Sequence, residues 1–541
     1  MVAAFPLVEL ARLVIGRPTV VLYGDQALIA EATRRAAHFE QLLGPYSRAG
    51  FHHPGPLLFY LLAPFEALAG RSGWGLSAGA VTLNLAALVA VVVALWRRAG
   101  PVAAVWAAAA LDVFCGFLGL ATLREPWNPY LVIVPLALLA VVWAVGWCGN
   151  PAAQVWSLVI GSYEIQTHVA TTPVVAVLWL LLAGRWPRRR GRPRRAGGGG
   201  LRAGQVILAL VWAPPLLEIL GDRPNNLQAL WAYLSGPRAP AAWGPALRSA
   251  TEALTVVPLG NRDHVAALAR DPAAVAVVFV ALAALAGAAL LVGRRRRQPL
   301  APALIGAALV VAVVGPLSLA AAGPVSLYFA LWLSVTPLLV LLGLGVAVLG
   351  PAGPARPATG SRPGSGSAVA GHRRTAVVVT VASLAAATWT VAADAALPSA
   401  DRATGSGPWP AADAATPAGR ARTVADTAAL DRAARALLGP GVRASVITIG
   451  ATSVWPEAAG VVLELDEDGV ATTVEPASWQ AYFGRSPEPT GGGVLRIGLY
   501  PDSDRAAAAG DDGPVVARVG GTLLVGSSER TTPPPGGRSA P

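Results

Sequence analysis

The chain has no lysine, two cysteines, one methionine and little charge of either sign: 13% of its 541 residues are charged, against 54% hydrophobic. A soluble globule carries about a quarter charged residues. That shortfall, with a mean hydropathy of +0.54, excludes one and points to a polytopic α-helical membrane protein. The scarcity of cysteine excludes a disulfide framework, and Cys115 and Cys148 fall in or beside apolar segments. No His-x-x-x-His or Cys-x-x-Cys spacing occurs, so no zinc site is indicated. The opening residues lack the n-region and small-residue cleavage site of a secretory signal. A net charge of +12 would suit a nucleic-acid binder, but the arginines gather in clusters between apolar runs, as membrane anchors do, and not along a phosphate-binding groove.

What is present is a series of apolar runs. A bilayer's hydrocarbon, about 30 Å thick, needs about 17 to 25 residues per helix. About ten spans are expected: 74–96, 100–121, 129–147, a pair within 153–184, 204–220, 274–293, 299–322, 325–349 and 375–393. The arginine clusters are Arg97-Arg98, Arg185 with Arg188 to Arg195, Arg294 to Arg297, and Arg356 to Arg374. Placing them in the cytoplasm puts residues 1–73, the loop 122–128, the turn at Gln166–His168, the loop 221–273 and everything after about 394 on the outer side. Widely separated polar residues thereby share one face, and such groups at a membrane edge are costly unless paired or used.

The densest of these stretches runs from Tyr23 to Pro64. Residues 1–22, interrupted by Glu9, Arg12, Arg17 and Pro18, are expected to lie as an interfacial amphipathic helix following a span that precedes the sequence. Gln26–Leu43 is expected to be a helix, with Leu28, Ala32, Ala36 and Phe39 at helical spacing. Two readings of Asp25 stand together: it caps this helix, and it aims a carboxylate into a cleft. In His52-His53-Pro54-Gly55-Pro56 the prolines favour extended chain, so the two imidazoles point to opposite sides. Arg48 suits a phosphate, whose oxygens a guanidinium holds in two-pronged geometry, or a lipid headgroup. In the second outer loop Arg124 and Glu125 can pair with each other, Trp127 and Tyr130 suit the headgroup level, and Glu125 is a second candidate carboxylate. Ser162 to His168 inserts polar side chains into an apolar run, which a membrane helix tolerates against protein or a polar cavity.

Together, Gly24-Asp25, Gly44-Pro45-Tyr46-Ser47-Arg48, His52 to Pro56, Trp127-Asn128-Pro129 and Gln166-Thr167-His168 resemble actinobacterial membrane glycosyltransferases of the GT-C superfamily, akin to protein mannosyltransferase-like and aminoarabinose-transferase-like enzymes. The resemblance covers roughly residues 20–185 by motif and implies inverting transfer of a sugar from a polyprenyl-phosphate donor to a glycan, lipid or protein hydroxyl. It implies that Asp25 is the base. Arg48 and His53 would bind the donor phosphate, and His52, Glu125, Trp127, Asn128, Gln166 and His168 would orient substrate. A divalent metal occurs in this superfamily, but no Asp-x-Asp stands in the outer loops to hold one, and no cofactor is expected. Such enzymes carry a span before the acidic residue, where this chain shows no convincing one.

Beyond the membrane region, taken as 74–393, the composition changes. Residues 394–419 read as a linker, 420–527 as a small outer α/β domain and 528–541 as a disordered tail. A helix is expected near Ala421–Leu438, and strands near Val442–Ile449, Val461–Leu465, Val494–Leu499, Val515–Val519 and Thr522–Val525. Asp466-Glu467-Asp468-Gly469 suits a hairpin turn. Two other classes compete with the enzyme: a lipid-linked substrate transporter, for which internal repeats and interrupted midplane helices are missing, and a non-catalytic membrane scaffold.

Overall fold

In this computed structural model, residues 3–47, 49–185, 198–221, 224–236, 243–259, 271–322, 327–352, 417–439, 442–483, 494–504 and 514–528 are described. Arg48, the arginine loops 186–197 and 353–374, the expected span 375–393, most of the linker and nearly all of the tail lie outside them. The chain forms two compact units: one of Met1–Arg17, Phe39–Leu62 and Ser77–Leu397, the other of Pro18–His38, Ala63–Leu76 and Pro398–Pro541. The residues 1–73, read as one segment, are thus divided between the two.

The first unit is helical. Six helices among the described residues are long and apolar enough to cross a bilayer, and the chain is a multi-pass membrane protein. They include α4 (Trp74–Leu118), α10 (Gly198–Gly221), α13 (Pro272–Arg295) and α14 (Leu300–Ala322). α6 (Asn128–Leu131) runs on into α7 (Ile133–Trp147), and α15 (Leu327–Ala330) into α16 (Val335–Leu349). α4 holds two expected spans, broken at Gly100, whose φ of 87° is open to glycine and strained for other residues. The expected pair in 153–184 appears as α8 (Pro151–Thr167) and α9 (Thr172–Ala183), separated by one 3₁₀ turn, Val169–Thr171.

The arginine-flanked helix ends meet at one end of this unit. Arg296 donates to the carbonyls of Ala347 (3.0 Å) and Val348, closing the C-terminus of α16. Pro351 lies against Gly100 beside Arg97 and Arg98, and Arg185 covers the ring of Trp147 at 4.2 Å. The other ends of α7 and α16, about 22 Å away for fifteen helical residues, carry Trp127 and Tyr328, whose rings are 4.7 Å apart. α1 (Ala4–Gly16) is too short to span. Its Glu9 is buried while Ile15, Leu7 and Val8 are exposed, because Glu9 faces Arg124 at 3.3 Å. Arg124, expected to pair with Glu125, has Glu9 as a partner from outside its own loop.

In the second unit α2 runs over Gly24–Ala37, with extended Tyr23 at its N-cap and Asp25 in the first turn. Asp25 is therefore not the cap, and the helix ends six residues early, where Phe39 takes a φ of 62°. α3 (Leu57–Leu68) and the first turn of α4 carry the chain between the units. The C-terminal domain comprises α17 (Pro417–Ala436), β3 (Ala444–Ile449), α18 (Trp455–Glu467), β4 (Ala471–Glu475), α19 (Ala477–Phe483), β5 (Val494–Pro501), β6 (Val515–Val519) and β7 (Thr522–Ser528). Its sheet has the order β4-β3-β5-β7-β6, with β3 parallel to β4 and β5, and β7 antiparallel to β5 and β6. Gly520 and Gly521, both at positive φ, make the β6–β7 turn. Two expectations fail here. Val461–Leu465 is helix, because the short apolar run is one part of a thirteen-residue helix burying Ala458, Ala459 and Val462. Asp466 to Gly469 then close that helix ahead of a parallel strand and make no hairpin.

Candidate active site

The first unit gathers most of the expected site residues. Between α2 and α3 the chain forms a small hairpin, β1 (Tyr46–Ser47) against β2 (Phe51–His52), pairing Tyr46 with His52. His52 is committed to it: Nδ1 donates to the Gly44 carbonyl at 2.9 Å, and its backbone exchanges two bonds with the Asn226 side chain, at 2.7 and 2.8 Å. Asn226 opens α11 (Asn226–Ser235), and its own amide donates to Glu218 at 2.6 Å.

The ring of His53 turns the other way, as alternation along extended chain requires. The Val169 amide donates to its Nδ1 at 3.0 Å, so the ring proton sits on Nε2. Burial, with His168 and His52 nearby, holds His53 well below the usual imidazole range, so it is a neutral N–H donor. Its ring stacks on His168 at 5.2 Å. Gln166 donates to the Val211 carbonyl at 2.8 Å, and a Cβ on Gly55 would overlap its side chain. Asn128 donates to the Thr167 carbonyl at 3.2 Å, tying the second loop to the same turn, and Glu125 in that loop is 3% exposed.

Several buried atoms here lack a hydrogen-bond partner among the described residues: both nitrogens of His168, Oε1 of Gln166 and both carboxylate oxygens of Glu164. Buried polar groups are nearly always paired, so a cluster of exceptions marks where a polar ligand fits. Around them a ribbon of rings runs Tyr233, Phe51, His53, His168, Phe329, Tyr328, Trp127, with successive centroids 4.2 to 6.3 Å apart. Tyr328 and Phe329 were missed by sequence reasoning, although adjacent aromatics just after Gly323-Pro324 mark a span's edge. Among the described residues no three His, Cys, Asp or Glu come together to hold a metal ion.

Of the remaining expected residues, Arg48 lies outside the described residues and Asp25 belongs to the second unit, half-buried in the first turn of α2. A carboxylate there is favoured by the helix's positive end.

A bundle of apolar helices with polar groups at one end, and an α/β domain that takes in the first-loop helix, make up the fold of this membrane protein. Two solved structures share it: ArnT from Cupriavidus metallidurans bound to undecaprenyl phosphate, with a TM-score of 0.57, and the same protein in the apo state, at 0.55. Each is 13% identical to this chain, and each comparison covers 97% of both chains. No family model matches the chain, and no curated protein matches it by sequence.

Proposed function

We propose that this chain is a membrane glycosyltransferase, moving a sugar from a polyprenyl-phosphate donor to an acceptor hydroxyl at the outer face of the cell membrane with inversion. The observation that carries the reading is the cluster of unpartnered polar atoms and stacked rings at the end of the first unit opposite its arginines. Undecaprenyl phosphate bound to an ArnT of the same fold supports a lipid donor. Outside the cell no nucleotide sugar is available, so an activated sugar must arrive on a lipid, and a site at the bilayer edge meets it there.

In the proposed step the Asp25 carboxylate takes the proton of the acceptor hydroxyl. The acceptor oxygen bonds to the anomeric carbon, the bond from that carbon to the phosphate oxygen breaks, and its electron pair leaves on the polyprenyl phosphate. Arg48 and the Nε2–H of His53 stabilise the charge that develops there. A neutral donor suits this site, since a cationic imidazole in its buried setting would be costly. Asn128, Trp127, Glu125, Gln166 and His168 orient the sugar and acceptor, and His52 holds the hairpin that presents His53.

The test is transfer from a labelled polyprenyl-phosphate sugar by purified protein in lipid. Asp25→Asn is expected to lower the rate by about a thousand-fold or more while the protein stays in the membrane. An active Asn variant would remove Asp25 from the role of base. Movement of the donor across the bilayer without bond formation would make the chain a transporter.

A further inference from the structure

The C-terminal end of α18 is built against the helix dipole. Its last turn carries Glu464, Asp466 and Glu467, its C-cap is Asp468, and no basic residue lies in that turn. Carboxylates at the negative pole of a helix are unfavourable unless cations from elsewhere face them. Two arginines do so. Arg435 of α17 reaches Glu464 at 2.5 Å and Asp468 at 2.7 Å, but it is one-third exposed and already held by Asp431 on its own helix. Exposed pairs of that kind contribute little.

The second arginine is of another kind. Arg34 of α2, 433 residues away in sequence, pairs with Glu467. Its side chain is 7% exposed, stands 3.8 Å from Glu66 and donates to the Arg71 carbonyl at 3.3 Å. The next residue, Arg35, bridges Glu31 at 2.6 Å and the Phe483 carbonyl of α19 at 3.0 Å. Small buried residues, Ala27, Ala30 and Thr33, let α2 lie close. Gly460 on α18 leaves room for the Leu22 carbonyl, 2.8 Å from where a Cβ would stand. A buried guanidinium with its carboxylate removed is strongly destabilising, so this contact fixes the helix it comes from. Asp25 stands nine residues earlier on that helix, about 14 Å along its axis.

We propose that the acidic end of α18 is the seat of the Asp25 helix, so that the C-terminal domain, through Glu467 and the positioning residue Arg34, sets where the Asp25 carboxylate stands. The inference rests on the reading of Asp25 as the base, and it gives the domain a role in the first loop's own unit. The acid run that reads as a turn is then an electrostatic socket.

The test uses the full chain in lipid, with amide hydrogen exchange over Gly24–Ala37 and transfer kinetics measured side by side. In Glu467→Lys and in Arg34→Gln, exchange across α2 is expected to rise by about ten-fold or more while β3 and β5 stay protected. The same variants lose about ten- to a hundred-fold in kcat, as misplacement of a reacting group does, with KM for the lipid donor within about two-fold of wild type. Arg34→Lys, which keeps the charge, recovers part of both. Wild-type exchange over α2 in both variants would overturn the seat, and so would a rise in KM at unchanged kcat. Should Glu467→Lys expose β3 and β5 as well, Arg34→Gln decides, since it alters no residue of the C-terminal domain. An active Asp25→Asn beside loosened clasp variants would sink the base and leave the seat standing.

Discussion

The two units solve the same problem, holding polar side chains at a fixed place, in different ways. In the first, His52, His53, Gln166 and Asn128 are tied by neutral hydrogen bonds to main-chain atoms of other segments. In the second, Arg34, Arg35 and Arg435 are tied to carboxylates. Ion pairs are strengthened by burial only when both partners' desolvation is met, whereas an imidazole or amide enters an apolar setting at lower cost. The polar side chains gathered in the first unit are therefore held by neutral groups, and the helix α2 of the second by charged ones.

An ion pair inside the first unit is the sharpest way to break this contrast. Arg124 and Glu9 form an ion pair 3.3 Å apart with side-chain exposures of 3% and 6%. Removing the carboxylate takes one charged partner from a buried guanidinium, so Glu9→Leu is expected to cost about 1 to 3 kcal/mol. Thermal unfolding in lipid would show it, and Glu9→Leu combined with Arg124→Leu should recover most of the loss. A fall under about 1 kcal/mol for the single variant would mean that charge is tolerated in this unit after all.

A comparable effect probes the neutral side. Gly55 packs where its missing side chain admits Gln166, itself bonded to Val211. Gly55→Val should cost about 1 to 3 kcal/mol by overpacking, and Gln166→Ala in the same chain should relieve it. If the pair of changes simply adds, the two residues are not in contact as described.

How much of this was legible in the sequence follows the same division. The apolar runs, the arginine-marked ends and the convergence of Trp127, Asn128, Gln166, His53 and His168 could be read from pattern, because hydrophobic length and turn residues act locally. The break near Gln166–His168 was likewise marked by polar residues in an apolar run. What could not be read were partners far apart in the chain. Arg124 meets Glu9, 115 residues earlier, a partner that no local pattern names. Asp466 to Asp468 looked like a turn because nothing local supplies their cation, and Arg34 lies in a segment over four hundred residues earlier. Val461–Leu465 was taken for strand because five apolar-rich residues carry no usable period.

The smallest effect separates the two units by pH. His53 is buried at 5% exposure, and burial depresses its imidazole, with His168 and His52 adding to the effect. The unfolded chain binds a proton at this residue as pH falls through about 6.5, while the folded chain resists it. Native stability contributed by neutral His53 is therefore complete above that pH and declines below it, by at most about 1.4 kcal/mol per pH unit for one proton. His53→Gln, whose side-chain oxygen can still accept the Val169 amide, should make the decline in unfolding temperature between about pH 6.5 and 5 shallower by one proton's share. Matching slopes for the variant and the wild type would mean that His53 takes up its proton as readily in the fold as in the unfolded chain, and the donor proposed for the leaving phosphate would then be cationic below about pH 6.5.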